Sequence, residues 1–311
     1  MELRQLRYFL KVVEHGSLGR AALELSVGTS ALSQQISKLE NELSTRLLTR
    51  SSTGVSPTPA GIAFQHHAQL TLRQAENAAQ AAQRERMSGY VSVGFAPSTS
   101  SVLALPLIAV MRQRYPNIQL HLVEMLSGYL SSQLHARQLD LAILFHGDSG
   151  RRCRVRPLLD EKLFLIAAPN LPGMPTSDNV KLDELAQLPL VLPSVQHGLR
   201  TTITNAFAHS RCEPTVVMDI DGLALLMDAV KAGYAATIQP GSVAARAREQ
   251  GLHVVQISDA HAGRRNLLVS LPDDELSPAA LAARVAILDT TRELVGSARW
   301  PGAQLLDEHG A

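Results

Sequence analysis

Cysteine and aromatic residues are scarce in this sequence, and each shortage excludes a class of protein. The 311 residues contain two cysteines, Cys153 and Cys212, too few for a disulfide scaffold, and they lack the CxxC spacing of a zinc site. A reducing, cytoplasmic location is therefore expected. Only 4% of the residues are aromatic, with one tryptophan, so the core must rest on Leu, Val, Ile and Ala. Because 45% of the residues are hydrophobic and 18% are charged, the sequence predicts a globular protein rather than a disordered one.

Long apolar runs and catalytic motifs are also missing. No segment approaches the ~18–20 apolar residues of a membrane span, and residues 1–5 do not open an apolar secretory signal. The sequence has no P-loop, GxSxG, HExxH or GxGxxG motif, and its 11 histidines show no ligand spacing. Cys153 lies among arginines within 151–156, a setting that lowers a thiol pKa. Because Cys212 is distant in the chain, a basic loop is preferred over a redox switch. We expect no catalytic residue, no metal site and no cofactor, and hence no enzyme.

Charge is distributed unevenly along the chain. Residues 1–87 contain 10 Lys or Arg and 7 Asp or Glu, a net charge of +3, whereas residues 88–311 contain 19 and 21, a net charge of −2. A basic first part hints at a nucleic acid as partner, although three charges alone do not distinguish DNA binding from an ordinary basic surface.

The first 57 residues predict three helices followed by a hairpin. Apolar residues recur at helical spacing until Gly16, a residue type that often ends a helix. Ser17 is placed to cap a second helix, and a turn at 26–28 leads to a third helix over 28–43. The polar stretch 50–57 suits a small β-hairpin. Two short helices joined by a tight turn describe a helix-turn-helix, although an ordinary three-helix bundle would show the same pattern.

The outward face of the third helix carries hydroxyl and amide groups, where a solvated helix normally carries Glu and Lys. Such groups contact phosphates and base edges, which favours DNA reading over a merely hydrated face. The expected DNA-binding residues, with Lys38 and Arg50 mainly at phosphates, are Ser17, Thr29, Ser30, Ser33, Gln34, Ser37, Lys38, Arg50 and Thr53.

A long helix is predicted next. Thr58 can cap it, Pro59 suits its first position, and no glycine occurs between Gly61 and Gly89. A helix over 59–87 would be ~43 Å long at ~1.5 Å per residue. Steps of four and three residues form a heptad-like seam that we expect to pair two chains, with packing against its own chain as the alternative. The expected dimerisation residues are Phe64, Ala68, Ala75, Ala78 and Ala82.

Residues 88–311 predict two α/β lobes. A βαβαβ run, which implies a parallel sheet, comprises strand Tyr90–Ala96, helix 101–115, strand 118–124, helix 127–137 and strand 139–145. A second series comprises strands 162–168, 188–192, 215–220 and 235–239 with helices 199–209 and 221–232, before the chain returns through 266–271 to a helix near 279–296. Two lobes crossed twice by the chain are the architecture of periplasmic-type binding proteins.

Several motifs occur in fixed order between residues 3 and 61. They are Leu3-x-x-Leu6-x-x-Phe9, Gly16-Ser17, Ala21-Ala22-x-x-Leu25, Ser30-Ala31-Leu32-Ser33-x-x-Ile36, Leu39-Glu40-x-x-Leu43, Leu47-x-x-Arg50 and Thr58-x-Ala60-Gly61. In this pattern the chain resembles the LysR-type transcriptional regulators. The runs 29–36 and 90–94 look similar to the nitrogen-assimilation-control branch. The sequence departs from the family at Thr29, where Gln is usual, at Ser30, where Pro is usual, and at Gln34, where Arg is common.

The resemblance implies an N-terminal all-α winged helix-turn-helix, a long dimerising linker helix, and an α/β two-lobed periplasmic-binding-protein-like effector module. We expect a DNA-binding domain over 1–58, the linker over 59–87 and the effector module over 88–311. Within that module, lobe I is expected at about 90–160 and 266–300, and lobe II at about 161–265.

An effector site is expected between the lobes. Hydroxyls at 98–101 open a predicted helix, whose free N–H groups and partial positive charge suit an anion, although plain helix capping needs only one of them. On the facing lobe, Ser194 and His197 precede the next helix, the type of crevice where open α/β sheets bind ligands. The resemblance adds Ser127, Phe145 and His146, and Gln239 ends a strand. The expected effector contacts are Ser98, Thr99, Ser100, Ser127, Phe145, His146, Ser194, His197 and Gln239.

Together these features predict a sequence-specific DNA-binding transcriptional regulator, controlled by a small effector such as an organic acid, an amino acid or an oxyanion. The resemblance also implies a homodimer, a homotetramer and RNA polymerase as a further candidate partner. Because the sequence lacks a long apolar run, no membrane partner is expected. The alternative is a small-molecule binding module or enzyme on the same two-lobed fold without DNA binding. A solute receptor of that kind would have no need for residues 1–87.

Overall fold

The computed structural model describes residues 1–51, 54–82, 88–145, 153–195 and 197–306 and, within the long helix, the side chains of 59–72 and 75. The chain divides into two compact units, Met1–Arg86 and Met87–Ala311. None of the described helices is both long enough and apolar enough to cross a membrane.

The described residues of the first unit form four helices and a hairpin. Its elements are α1 (Leu3–His15), α2 (Leu18–Glu24), α3 (Thr29–Glu42), β1 (Leu48–Ser51), β2 (Gly54–Pro57), antiparallel to β1, and α4 (Pro59–Ala82). The α1 helix ends as predicted at Gly16, whose φ of 58° is left-handed, and Ser17 caps α2 by accepting a hydrogen bond from Arg20 N at 3.4 Å. Leu32 and Ile36 of α3 are fully buried, which confirms the predicted apolar face of the third helix.

Backbone hydrogen bonds fix the hairpin to its neighbours. Val55 N donates to the carbonyl oxygen of Gly16 at 2.8 Å. The Thr58 hydroxyl caps α4 by accepting from Gly61 N at 3.0 Å, and it donates to the Arg46 carbonyl at 2.8 Å. The hairpin, the α1–α2 turn and the start of α4 are therefore held as one body.

The second unit contains two α/β lobes that share one strand. Lobe I consists of β3 (Ser88–Phe95), α5 (Pro97–Arg114), β4 (Asn117–Glu124), α6 (Ser127–His135), β5 (Leu141–Leu144), β12 (Gly263–Ser270), α10 (Pro278–Gly296) and β13 (Ala303–Leu305). Strand β3 pairs in parallel with β4 and β5, as predicted. Strand β12 continues the sheet antiparallel to β5. Helices α5 and α10 pack on this sheet through an apolar core rich in Leu, Val, Ile and Ala.

Lobe II surrounds the far end of the shared strand, β6 (Arg154–Ala167). Its other elements are β7 (Asn179–Val180), β8 (Leu190–Leu192), α7 (Gly198–His209), β9 (Val216–Asp219), α8 (Leu223–Lys231), β10 (Thr237–Pro240), α9 (Gly241–Glu249) and β11 (His253–Ile257). Residues 154–162 of β6 pair with β12, and residues 163–167 pair with β10 and β11. One strand thus runs from the sheet of lobe I into the sheet of lobe II.

Several predicted helix and strand boundaries are wrong where the chain is rich in hydroxyl or charged residues. The α5 helix begins at Pro97 rather than at 101, because hydroxyls of its first turns bond within the helix, as Ser101 does to the Ser98 carbonyl at 2.6 Å. Strand β6 begins at Arg154 rather than at 162, and β12 at Gly263 rather than at 266, because their charged residues pair with one another across the two strands. The sequence pattern does not predict α9, β11 or β13.

Candidate functional site

The outward face of α3 is polar and accessible. Its N-cap residue is Gly28, which has no side chain that could accept from the first N–H groups of the helix. These N–H groups therefore remain available to a phosphate. The Ser17 hydroxyl serves as the cap of α2, and Thr53 lies outside the described residues. The predicted α3 residues are exposed at Thr29, Ser30, Gln34 and Lys38 and half-buried at Ser33 and Ser37.

Two cationic side chains lie beside the outward face of α3. Arg50 Nη2 on β1 donates to Ser33 Oγ at 3.1 Å, so the hairpin lies against α3. Lys38 Nζ lies 3.6 Å from a carboxylate oxygen of Glu2, and 56% of the Lys38 side chain stays exposed. The structure therefore brings the predicted α3 residues and Arg50 onto one surface.

A buried carboxylate that sequence reasoning missed fixes this surface. Glu40, at the end of α3, is 4% exposed, and its Oε1 accepts hydrogen bonds from Leu47 N at 2.8 Å and Leu48 N at 3.0 Å. Its Oε2 is 3.1 Å from Arg46 Nη1. Glu40 follows Ile36 by four residues and so lies on the buried side of α3. An acidic residue on the apolar side of a predicted helix was the sequence signal that could have revealed this buried carboxylate.

The structure corrects part of the predicted dimer seam. Phe64 of α4 packs edge-on against Phe9 of α1 with ring centroids 5.2 Å apart, and Ala68 is 1% exposed within its own chain. Both side chains contact the core of the first unit, which was the alternative considered for the helix; Ala68 has no surface left for a second chain, whereas Phe64 is half-buried. Ala75 is half-buried, and the side chains of Ala78 and Ala82 lie outside the described residues.

A narrow crevice in the second unit collects some of the predicted effector residues. Its volume is about 20 Å³, and it lies between the starts of α5, α7 and α8 and the end of β10. Ser194 lies at its edge, where its backbone N donates to Asp221 Oδ1 at 2.8 Å, and this bond lowers the pKa of Asp221. The residues lining the crevice are Pro97, Ser98, Pro193, His197, Leu199, Asp221, Leu223, Leu226 and Gln239.

Other predicted effector residues lie elsewhere. Thr99 is fully buried and does not line this crevice. Ser100 donates its hydroxyl hydrogen to Glu124 outside the crevice. Ser127, at the start of α6, does not line it, and His146 lies outside the described residues. The predicted hydroxyl run is divided because successive residues of α5 point in different directions.

His197 has a structural task besides lining the crevice. Its Nδ1 accepts a hydrogen bond from Leu199 N at 3.2 Å and thereby caps α7. Burial lowers the pKa of His197, the Arg264 charge lowers it further, and Asp221 opposes both. A neutral imidazole that accepts at Nδ1 carries its proton on Nε2, so His197 offers a neutral donor. These surroundings hold the pKa of His197 below its ordinary value and so favour the neutral imidazole.

A buried ion pair next to the crevice was missed by sequence reasoning. The side chains of Arg264 on β12 and Glu161 on β6 are 3% and 0% exposed, with Nε and Oε1 2.7 Å apart. Arg264 Nη2 donates to Ser98 Oγ at 2.9 Å, and its guanidinium lies over the Phe145 ring at 3.7 Å from the centroid. Phe145 is thus linked to the crevice through Arg264.

Neutral donors complete the surroundings of Glu161. Its Oε1 accepts from Asn266 Nδ2 at 3.0 Å, and its Oε2 accepts from Trp300 Nε1 at 2.8 Å and from the backbone N of Ser242 at 3.1 Å. Burial pushes the pKa of Glu161 upward, but Arg264 and these donors outweigh it and hold the pKa below its ordinary value. The carboxylate therefore stays ionised between the lobes.

Comparisons with known proteins agree with this two-part organisation. Residues 3–62 match the bacterial regulatory helix-turn-helix protein, lysR family, and residues 84–292 match the LysR substrate binding domain. The nitrogen assimilation regulatory protein nac of Escherichia coli (strain K12) is 36% identical over 247 residues, which cover 78% of this chain and 80% of that protein.

Solved full-length structures have the same fold. A full-length OxyR variant from Pseudomonas aeruginosa is 23% identical with a TM-score of 0.73, covering 94% of this chain and 95% of that one. Full-length CbnR complexed with its target DNA is 24% identical with a TM-score of 0.67, covering 94% and 100%. The predicted resemblance is confirmed: this chain belongs to the LysR family of transcriptional regulators, with a helix-turn-helix DNA-binding domain followed by an effector-binding domain.

Proposed function

We propose that this regulator reads its operator with α3 and the β1–β2 hairpin, and that it acts by binding rather than by catalysis. The observation that carries the proposal is the exposed hydroxyl and amide face of α3, with Arg50 held against it by Ser33. Hydroxyls and amides can bond both phosphates and base edges, so this face can position the protein and also discriminate sequence. The relative named above is a regulatory protein, which supports a role without catalysis.

Removing two of these groups is expected to weaken operator binding. Ser33→Ala with Gln34→Ala should lower affinity for the DNA immediately upstream of the protein's own reading frame at least tenfold, since a lost base contact costs about 1–3 kcal/mol. A mobility-shift titration at fixed salt measures this. Thr201→Ala, which removes an exposed hydroxyl from α7, is the control and should bind as the wild type does. Unchanged affinity and sequence preference in the double variant would rule out this placement of α3.

We propose that two chains pair through α4 beyond Ala68, so that two α3 helices reach dyad-related half-sites. Small side chains there let two helices approach closely. A tetramer through the effector modules is proposed on the family membership alone.

Charge in this seam is expected to separate the chains. Ala75→Asp with Ala78→Asp should yield monomers at micromolar concentration in sedimentation velocity, because four carboxylates would meet across the helix pair. Ala63→Asp, at an exposed position earlier on α4, is the control and should remain a dimer. A dimeric double variant would place the interface elsewhere.

We propose that an anionic effector binds in the crevice at Ser98. Three donors support this: the uncapped start of α5, the Nε2–H group of His197, and Arg264, whose guanidinium already bonds Ser98. A volume of about 20 Å³ holds roughly one water molecule, so a larger effector has to part the lobes as it enters. Binding would then favour an opened arrangement of the effector module.

A thermal-shift screen of small carboxylates and inorganic oxyanions tests the crevice. A compound that stabilises the wild type should lose most of its effect in Ser98→Ala, because the Ser98 hydroxyl, which accepts from Arg264 and can donate its own hydrogen to the anion, disappears. Thr99→Val is the matched control: its hydroxyl is buried and makes no hydrogen bond among the described residues, so the effect should survive. Stabilisation that persists in Ser98→Ala would move the anion site elsewhere.

A further inference from the structure

A groove separate from the crevice lies on the second unit. It has a volume of about 520 Å³ and is bounded by the start of α5, the end of β4, and helices α8 and α9. It shares only Pro97 and Leu223 with the crevice. A volume in this range accommodates a small metabolite without rearrangement, which the crevice does not.

One side of the groove is apolar and rigid. Met227 of α8 and Val243 and Ala247 of α9 line it. All three are buried members of the core formed by α8, α9 and β6, so packing fixes their positions. They offer the carbon skeleton of a ligand a preformed apolar surface.

The rest of the groove carries charges of both signs. Glu124, at the end of β4, accepts a hydrogen bond from the Ser100 hydroxyl, which orients its carboxylate. Arg246 of α9 is exposed and makes no ion pair among the described contacts. Lys231 Nζ lies 3.8 Å from Asp228 Oδ1, a loose pair that leaves the ammonium free to turn. A ligand of one charge would meet like charge on one side, whereas a ligand with both charges can pair with both sides.

We propose that this groove binds a small amphoteric molecule of the α-amino acid class with an apolar side chain. Its carboxylate pairs with Arg246 and Lys231, its ammonium with Glu124, and its side chain lies against Met227. Glu124 belongs to lobe I and Arg246 to lobe II, so the ligand bridges the lobes and favours the arrangement in which both groups are within reach. The site does not depend on the anion proposed for the crevice.

Isothermal titration of the full-length protein tests this site with L-leucine, L-methionine and L-valine at millimolar concentration. We expect at least one of them to bind. For L-leucine, the analogues 4-methylpentanoate, which lacks the ammonium, and isoamylamine, which lacks the carboxylate, should each bind at least tenfold more weakly, because each loses one charge-assisted contact.

Variants locate the binding. Arg246→Gln and Glu124→Gln should each weaken amino-acid binding at least tenfold. Arg248→Gln should leave it unchanged, because Arg248 lies on the same helix but faces the Phe164 ring at 5.9 Å. Ser98→Ala should also leave it unchanged, which separates this site from the crevice. The proposal is overturned if none of the three amino acids binds, if 4-methylpentanoate binds as tightly as L-leucine, or if Arg246→Gln and Glu124→Gln bind as the wild type does.

Discussion

Replacing Glu161 by Ala is expected to lower the free energy of unfolding of the effector module by about 3–5 kcal/mol, the usual cost of breaking a buried ion pair. The substitution leaves the guanidinium of Arg264, 3% exposed, without its carboxylate, and it also removes the acceptor of Trp300 Nε1. Trp300 is the single tryptophan of the chain, so its fluorescence during urea unfolding reports on this site. Removing both charges, in Glu161→Leu with Arg264→Met, should restore only the part of the loss that comes from the unpaired guanidinium, because Trp300 Nε1 and Asn266 Nδ2 still lose their acceptor.

The neighbouring ion pair supplies a matched control. Asp160 and Arg265 pair at 2.8 Å on the same two strands, but their side chains are 44% and 52% exposed. Asp160→Ala should therefore change the free energy of unfolding by no more than about 1 kcal/mol. Equal losses in Asp160→Ala and Glu161→Ala would show that burial of the Glu161 pair is not what makes it important.

Gly61→Ala is expected to destabilise the first unit by about 3 kcal/mol, near the upper end for overpacking. A Cβ at Gly61 would lie 2.0 Å from the Leu47 carbonyl oxygen and 3.0 Å from its carbon, and a backbone group cannot turn aside. Either α4 or β1 must move, and β1 carries Arg50 against α3. Hydrogen exchange of the full-length protein should therefore speed up in α1, α3 and α4, and operator affinity should fall with it.

A second glycine of the same unit supplies a control in which alanine replaces glycine without a steric clash. Gly19, in α2, has only the Ser17 hydroxyl near its would-be Cβ, at 3.9 Å. Gly19→Ala should leave exchange unchanged or slow it, because alanine favours helix by up to about 1 kcal/mol. If Gly61→Ala exchanged like Gly19→Ala, the close approach of α4 to Leu47 would not constrain the fold.

The helices of the first unit were predictable because each carries one apolar stripe with a clear end. Leu32, Ile36 and Leu39 are all buried, and Gly16 and Ser17 end and begin helices as their backbone chemistry predicts. The strand boundaries in the sheet of the second unit were less predictable from the sequence. The charges of Asp160 and Glu161 interrupt the apolar pattern of β6, and residues on β12 that neutralise them are about a hundred positions away.

The candidate effector site was predictable only in part, for a similar reason. Ser98 and His197, which line the crevice, stand next to helix starts, a feature that a sequence reveals. Arg264 contacts Ser98 from a strand whose charged start resembles a surface loop, so the sequence did not reveal it. Phe64 and Ala68 show the limit of a heptad-like pattern, which does not state whether its partner is another chain or α1 of the same chain, and here both side chains pack within the first unit.

Two α3 helices of a dimer are proposed to read dyad-related half-sites. Hydroxyl-radical footprinting of the wild-type protein on the DNA upstream of its own reading frame tests this most directly. We expect two protected patches related by a dyad and centred about one turn of B-DNA apart, both lost in Ser33→Ala with Gln34→Ala. Protection that is uniform along the DNA, or two patches that persist unchanged in the double variant, would contradict it.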